Sequence, residues 1–164
     1  MFLTIKGKNN DGAKFISQAL KKGAKYIVSS NNYKKYKNKI IKVDNVINFL
    51  NHFASLKRNN SVATILAITG SAGKTSLKNL IKELLQNFGE TYSSPKSYNN
   101  HFGVPVSLSN LSTNHRYGVF EVFNMSFTYI CNNAYMGLYK LGKSIYFSGF
   151  THAYFKNTIP MICT

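Results

Sequence analysis

The chain contains 164 residues, which is enough for one ordinary domain or for one domain and part of another. Its hydrophobic content of 44% is typical of a globular protein with a buried core. No apolar run reaches the roughly 18 residues of a membrane-spanning helix, so no membrane span is expected. The 21 Lys and Arg residues outnumber the 5 acidic residues, and the net charge is +16. Because the lysines are scattered, this charge indicates compositional drift with a general attraction of anions, rather than a nucleic-acid interface.

The cysteines and the first residues indicate a cellular compartment. Cys131 and Cys163 show no metal-binding spacing, and the sequence does not open with a signal-peptide pattern. Both features predict a reduced, cytoplasmic protein.

The first 57 residues predict a small α/β unit. A helix is expected from Asp11 to about Lys22, where Gly23 ends it, since its apolar residues recur at helical spacing. Asp44 is expected to cap a second helix, which carries an apolar face between residues 46 and 56. Strands are expected at 2–6, 26–28 and 40–43.

A polar stretch at 57–61 predicts a domain boundary, with domains at 1–58 and 62–164. The nearly continuous apolar run at 62–68 is typical of a strand buried on both faces of a parallel sheet. A second such strand is expected at 117–122, and leucines between the two strands indicate an amphipathic helix. The predicted fold class is therefore α/β: a small N-terminal α/β domain followed by a partial P-loop-type central domain with a mainly parallel sheet.

The segment between the first buried strand and this helix predicts a nucleotide phosphate site. Backbone N–H groups of a glycine turn and the helix N-terminus together attract phosphate. Lys74 is expected to reach the outer phosphates of ATP, and the Thr75 hydroxyl to bind Mg²⁺. Gly70 and Gly73 are closer together than the glycines of a standard Walker loop. The expected phosphate-binding residues are Gly70, Ser71, Ala72, Gly73, Lys74, Thr75 and Ser76.

Two further residues could complete the site. Glu121 ends the second buried strand, where a carboxylate could hold Mg²⁺; the alternative is an ordinary acid at a strand end. His152 is the other candidate, although a lone histidine is more often structural than a ligand.

The sequence resembles the Mur ligases, the cytoplasmic enzymes of peptidoglycan precursor synthesis. The stretch from Thr69 to Ser76 is similar to their ATP signature, and 97–108 resembles the type that adds D-alanyl-D-alanine, with its paired Asn99 and Asn100 and a following Gly-Val-Pro. The resemblance implies three domains, for the UDP-sugar, for ATP and for the incoming dipeptide. It also implies amide synthesis through an acyl-phosphate, with UDP-MurNAc-tripeptide and D-Ala-D-Ala as substrates and ATP and Mg²⁺ as cofactors.

The resemblance assigns roles to individual residues. Lys74 would neutralise the transferring phosphoryl group, Thr75 and Glu121 would hold Mg²⁺, and His152 would be a catalytic metal ligand. Asn99 and Asn100 would position the muramoyl-peptide; the alternative for this pair is a polar turn.

The sequence also departs from the family. Phe123 and Asn124 replace the residues expected after the glutamate, and Tyr154 replaces an expected acid. The resemblance thus predicts a ligase cut at both ends, without a C-terminal domain and not competent alone, whose unfinished sheet favours aggregation or a protein partner. The alternatives are a non-catalytic nucleotide-binding remnant and, ranked last, a basic nucleic-acid-binding protein.

Overall fold

The structure, a computed structural model, describes residues 1–7, 10–70, 72–96 and 98–122 and the backbone of 144–148. The chain divides into two compact units, Met1–His52 and Phe53–Thr164. This division falls inside a helix that continues through most of the polar stretch, so the domain limits of 1–58 and 62–164 stay a prediction. No helix in the described part is long and apolar enough to cross a membrane.

The first unit contains a parallel three-stranded sheet. Its strands are β1 (Phe2–Leu3), β2 (Ile27–Ser29) and β3 (Ile40–Lys42), in the order β1-β2-β3. The predicted first helix begins as a 3₁₀ turn at Gly12–Phe15 and continues as α1 (Ile16–Lys21). Asp11 accepts a hydrogen bond from the Ala13 N–H at 2.9 Å and so caps this turn. All three predicted strands are present: β1 and β3 are shorter than predicted, and β2 has the predicted length but begins one residue later.

The second helix, α2 (Val46–Asn59), is capped by a different residue from the one predicted. The side-chain oxygen of Asn45 accepts the N–H groups of Ile47 and Asn48 at 2.8 and 3.0 Å. The prediction of Asp44 as the cap is therefore wrong. The helix begins one residue later, which moves the capping position to Asn45.

The second unit is a parallel four-stranded sheet in the order β5-β6-β4-β7 with helices between the strands. Its elements are β4 (Thr64–Thr69), α3 (Lys74–Gln86), β5 (Thr91–Ser93), α4 (Gly103–Ser109), β6 (Tyr117–Glu121) and β7 (Ser144–Ser148). Every described strand pair in both units is parallel, so the predicted α/β class is confirmed.

The central strand β4 is buried on both faces, as its continuous apolar run predicts. One face contributes Ile65 and Ala67 to a cluster that includes Phe120 and the helix α4. The other face contributes Leu66 and Ile68 to a cluster that packs under α3. The alternation of side chains along the strand produces this division, and it fixes α3 and α4 on opposite sides of the sheet.

The helix α3 buries only part of the apolar face that its sequence predicts. Ile81 and Leu85 pack on the sheet, whereas Leu80 and Leu84 are 54% and 55% exposed. Phe88, one turn further on, is 65% exposed. This side of α3 is an apolar surface, and exposed apolar surface of this kind is typical of interaction sites or aggregation.

Candidate functional site

The predicted phosphate loop follows β4 directly and leads into the first turn of α3. Gly70 and Gly73 have φ values of +152° and +73°, which residues with a Cβ rarely adopt. A Cβ added at Gly73 would meet no atom within 4 Å, so backbone conformation rather than space requires glycine there. Ser71 lies outside the described residues. The turn therefore has the glycine-dependent geometry that lets a backbone curve around an anion at a helix N-terminus.

The side chain of Lys74 lies across this turn. Its ammonium donates to the carbonyl oxygen of Gly70 at 2.5 Å and so spans the loop from the helix back to the end of the strand. Ala72, Gly73 and Ser76 are exposed. A cation beside a glycine turn at a helix N-terminus is the arrangement that binds the phosphates of a nucleotide.

Glu121 is the centre of the site. It lies at the end of β6, opposite Ile68 of β4 in the parallel register, and is 2% exposed. The Thr75 hydroxyl donates to its Oε2 at 2.8 Å, and the Asn99 side-chain amide donates to its Oε1 at 2.8 Å. Three of the sequence-predicted residues, far apart along the chain, thus meet around one buried carboxylate.

Sequence analysis missed two residues of this cluster, Lys78 and Ser94. Lys78 is 2% exposed; its ammonium donates to the Ser94 carbonyl at 2.9 Å and to the Lys96 carbonyl, and lies 3.8 Å from Glu121 Oε2. The Ser94 hydroxyl oxygen accepts the backbone N–H of Glu121 at 3.2 Å. The available signal was helical spacing, since a lysine three residues after Thr75 shares its face of α3.

The electrostatics of the cluster are those of a buried ion pair. Burial lowers the pKa of the Lys78 ammonium, and the neighbouring Glu121 carboxylate opposes that shift. A charge removed from water is tolerated where fixed polar groups surround it, and two carbonyls and one carboxylate surround this ammonium. The pair is therefore a built part of the site rather than a surface contact.

The paired asparagines have different surroundings. Asn99 contacts Glu121, as described above, whereas the side-chain oxygen of Asn100 accepts the N–H groups of Phe102 and Gly103 at 3.1 and 2.8 Å. Asn100 thus closes the turn that leads into α4. The role of both residues in holding a substrate stays a prediction.

The arrangement of oxygen atoms fits a magnesium ion. Octahedral Mg²⁺ with ligands at about 2.1 Å places neighbouring ligand oxygens about 3 Å apart. The oxygens of Thr75 and Glu121 lie 2.8 Å apart beside the phosphate loop, so they could become adjacent ligands of one ion. Within the described residues no group of three His, Cys, Asp or Glu side chains could hold a metal, so phosphate and water oxygens would supply the other ligands. His152 lies outside the described residues.

Comparison with known proteins shows which family the segment around this site resembles. Residues 68–128 match the model of the Mur ligase middle domain. Over 123 residues the chain is 38% identical to the UDP-N-acetylmuramoyl-tripeptide--D-alanyl-D-alanine ligase of Buchnera aphidicola subsp. Baizongia pistaciae, covering 74% of this chain and 27% of the relative. The enzyme of the same name from Escherichia coli is 31% identical over 122 residues, with the same coverage.

Solved structures agree with these relatives. A crystal structure of MurF from Acinetobacter baumannii is similar with a TM-score of 0.65 at 27% identity, and covers 74% of this chain and 27% of that one. The MurF ligase of Thermotoga maritima, crystallised in complex with ADP, is similar with a TM-score of 0.60 at 31% identity, covering 74% and 28%. The chain thus spans about a quarter of the length of the relatives that it matches, and within that span it belongs to the Mur ligase family.

Proposed function

We propose that this chain binds the phosphates of ATP with Mg²⁺, as part of a ligase that joins D-Ala-D-Ala to UDP-MurNAc-tripeptide. The observation that carries the proposal is the contact of Thr75 and Asn99 with the two oxygens of Glu121, at the mouth of the phosphate loop. The names of the relatives supply the reaction, and the ADP in the Thermotoga maritima structure supports a nucleotide ligand.

In the proposed reaction the terminal carboxylate of the tripeptide attacks the γ-phosphorus of ATP, and ADP leaves. The amine of D-Ala-D-Ala then attacks the acyl-phosphate carbonyl and displaces phosphate, with loss of a proton from the nitrogen. Such a transfer is accelerated mainly by positioning and by cations aimed at the charge that develops on the phosphoryl oxygens. A bound Mg²⁺ would supply part of that positive charge.

The residues of the chain have separate tasks in this scheme. The Lys74 ammonium, which binds the Gly70 carbonyl beside the turn, would leave that oxygen for the outer phosphates. Thr75 and Glu121 would hold the metal, and Asn99 would keep the carboxylate of Glu121 in place through its second oxygen. His152 as a metal ligand and Asn100 as a substrate contact remain parts of the proposal.

The extent of the reaction is a separate part of the proposal. The chain spans 27% of its Buchnera relative, so we expect it to bind nucleotide without completing ligation by itself. A protein partner that covers the incomplete sheet and a location in the cytoplasm stay predictions.

Calorimetric titration of the chain with ADP and ATP in the presence of Mg²⁺ tests nucleotide binding. Lys74→Ala should weaken binding by about tenfold or more, since a charged hydrogen bond to phosphate is lost. The matched control is Lys82→Ala, which removes a partly exposed lysine further along the same helix and gives the same net charge. Equal affinities of the two variants would contradict the proposal.

Turnover and nucleic-acid binding are measured alongside. Phosphate release that requires both UDP-MurNAc-tripeptide and D-Ala-D-Ala would show a complete ligase, whereas Lys74-dependent binding without release would fit a non-catalytic nucleotide-binding module. Binding to nucleic acid that falls steeply with salt and ignores Lys74→Ala would favour the basic-protein alternative.

A further inference from the structure

Lys78 is a buried lysine to which neither the resemblance nor the proposed reaction gives a task. It is 2% exposed, although lysine is among the residues least often buried. It lies one helical turn after Lys74, on the side of α3 that faces the sheet. Its position beside Glu121 raises the question of what a buried cation does there.

The ammonium of Lys78 joins three segments of the chain. From α3 it donates to the carbonyls of Ser94 and Lys96, which belong to the turn after β5, and it lies 3.8 Å from Glu121 Oε2 at the end of β6. A lysine ammonium has three donor hydrogens; two of them bind these carbonyls, and the carboxylate lies within ion-pair distance. Two of these oxygens lie in the turn after β5 and the third lies at the end of β6, whereas Lys78 belongs to α3. The side chain therefore holds the turn and the end of β6 at a fixed distance from each other.

The turn after β5 is held in a conformation that needs support. Lys96 has a φ of +48°, in the left-handed region that residues with a Cβ seldom enter. Its carbonyl is one of the two that Lys78 binds. The Ser94 hydroxyl accepts the N–H of Glu121, and the turn continues towards Asn99, whose amide binds the carboxylate. Lys78 thus binds the same turn that contacts Glu121 through the Ser94 hydroxyl.

We propose that Lys78 is a positioning residue, which holds Glu121 and the turn at 94–96 where a metal-bound nucleotide requires them. The inference rests on the proposed function, because it concerns the metal-dependent part of nucleotide binding. Glu121 Oε2, which lies nearest to Lys78, is also the oxygen that receives the Thr75 hydroxyl. Removal of Lys78 therefore changes the place and the electrostatic surroundings of a proposed metal ligand while leaving the phosphate loop intact.

The test compares Lys78→Met with Lys82→Met, a matched substitution of a partly exposed lysine one turn further along the same helix. ADP affinity is measured with Mg²⁺ and with a chelator. The gain in affinity that Mg²⁺ confers should fall by about tenfold or more in Lys78→Met, as is typical when a residue that orients a metal ligand is lost, and should be retained in Lys82→Met. Affinity without metal should change by about twofold or less in both variants. A lower Tm with an unchanged Mg²⁺ gain would mean that Lys78 is merely structural, and would overturn the inference.

A second variant keeps the inference testable if Lys78→Met does not fold. The loss of one partner of a buried ion pair leaves the other charge uncompensated. The double variant Lys78→Met/Glu121→Gln removes both charges and should regain a cooperative thermal transition, or show a higher Tm than Lys78→Met. A double variant that is no more stable than the single one would contradict the pairing of Lys78 with Glu121.

The same experiment separates this inference from the proposed function. ADP binding that is absent, or that Lys74→Ala leaves unchanged, would refute the function and the inference together. Binding that depends on Lys74 but has an unchanged Mg²⁺ gain in Lys78→Met would refute the inference alone.

Discussion

Replacement of Thr75 by valine removes the hydroxyl that faces Glu121 and changes little else. Valine has the same branched shape and a similar helix propensity, so α3 should be preserved. The lost hydrogen bond is short, at 2.8 Å, and its acceptor is a buried carboxylate. Hydrogen bonds to charged groups contribute about 1.5–3 kcal/mol. Lys78 and Asn99 still contact the carboxylate, so we expect the low end, a destabilisation of about 1.5 kcal/mol.

Thermal unfolding and Mg²⁺-dependent nucleotide binding measure the two consequences. For a chain of this size about 1.5 kcal/mol corresponds to a fall in Tm of about 3–6 °C. Valine also removes an oxygen from the proposed metal position, so the gain in ADP affinity from Mg²⁺ should fall by about tenfold, equivalent to about 1.4 kcal/mol.

Thr75→Ser is the matched control, because it keeps the hydroxyl and loses a methyl group. It should retain the Mg²⁺ gain of the wild-type chain. If the valine and serine variants have equal Tm values and equal Mg²⁺ gains, the hydroxyl neither supports Glu121 nor binds the metal, and the assignment of this site is wrong.

Three further predictions concern the elements around the site. Gly103→Ala should lower the free energy of unfolding by about 1–3 kcal/mol, since the added Cβ would lie 2.6 Å from the backbone of Tyr98; chemical denaturation measures it. Asn100→Ala should cost about 1 kcal/mol in the same assay, because it removes the side chain that closes the turn before α4. Burial raises the pKa of Tyr92 above its usual 10.0, so the stability that its neutral form contributes is present below pH 10 and is lost as pH rises further. Tyr92→Phe should therefore reduce the fall in Tm between pH 9 and pH 11, and an unchanged fall would contradict this.

Part of the fold follows from patterns that the sequence states directly. The apolar run that forms β4 predicts a strand that is covered on both faces. The glycine turn after it predicts where α3 begins. The contact of Thr75 with Glu121 could be anticipated as well, because the carboxyl ends of parallel strands lie at one edge of a sheet. Such features depend on local pattern and on a general rule of topology.

The missed elements depend on contacts that the sequence does not display. The strand β5 (Thr91–Ser93) is short and carries no apolar run, so its pairing with β6 is what defines it. The helix α4 has a proline, Pro105, near its start; the first helical turn tolerates proline, but this short segment was not predicted as a helix. Short elements of this kind are stabilised mainly by packing on the sheet rather than by their own propensity.

The predicted site lacked Lys78 for a related reason. Apolar periodicity predicts that Leu80 and Leu84 belong to the apolar face of α3. In the structure these two leucines are exposed, and Lys78 of the same helix is buried. A lysine in a basic chain looks like a solvated residue, and the helical spacing that places Lys78 on the same face as Thr75 does not by itself show that it is buried against two carbonyls. The burial of Lys78 can be inferred only when the position of the turn after β5, whose carbonyls it binds, is known.

Strand order explains why one carboxylate can couple the two halves of this site. In the order β5-β6-β4, the strand that carries Glu121 lies between the strand that leads to the phosphate loop and the strand that leads to Asn99. Its two oxygens are accordingly reached from opposite sides, Oε2 by Thr75 and Oε1 by Asn99. A change in metal or phosphate on one side alters the charge and position of the same group that orients the asparagine on the other. Coupling between the proposed nucleotide site and the proposed substrate contact at Asn99 would therefore require no domain movement within this unit, and a substitution at Asn99 should change the Mg²⁺ dependence of nucleotide binding although Asn99 does not belong to the loop.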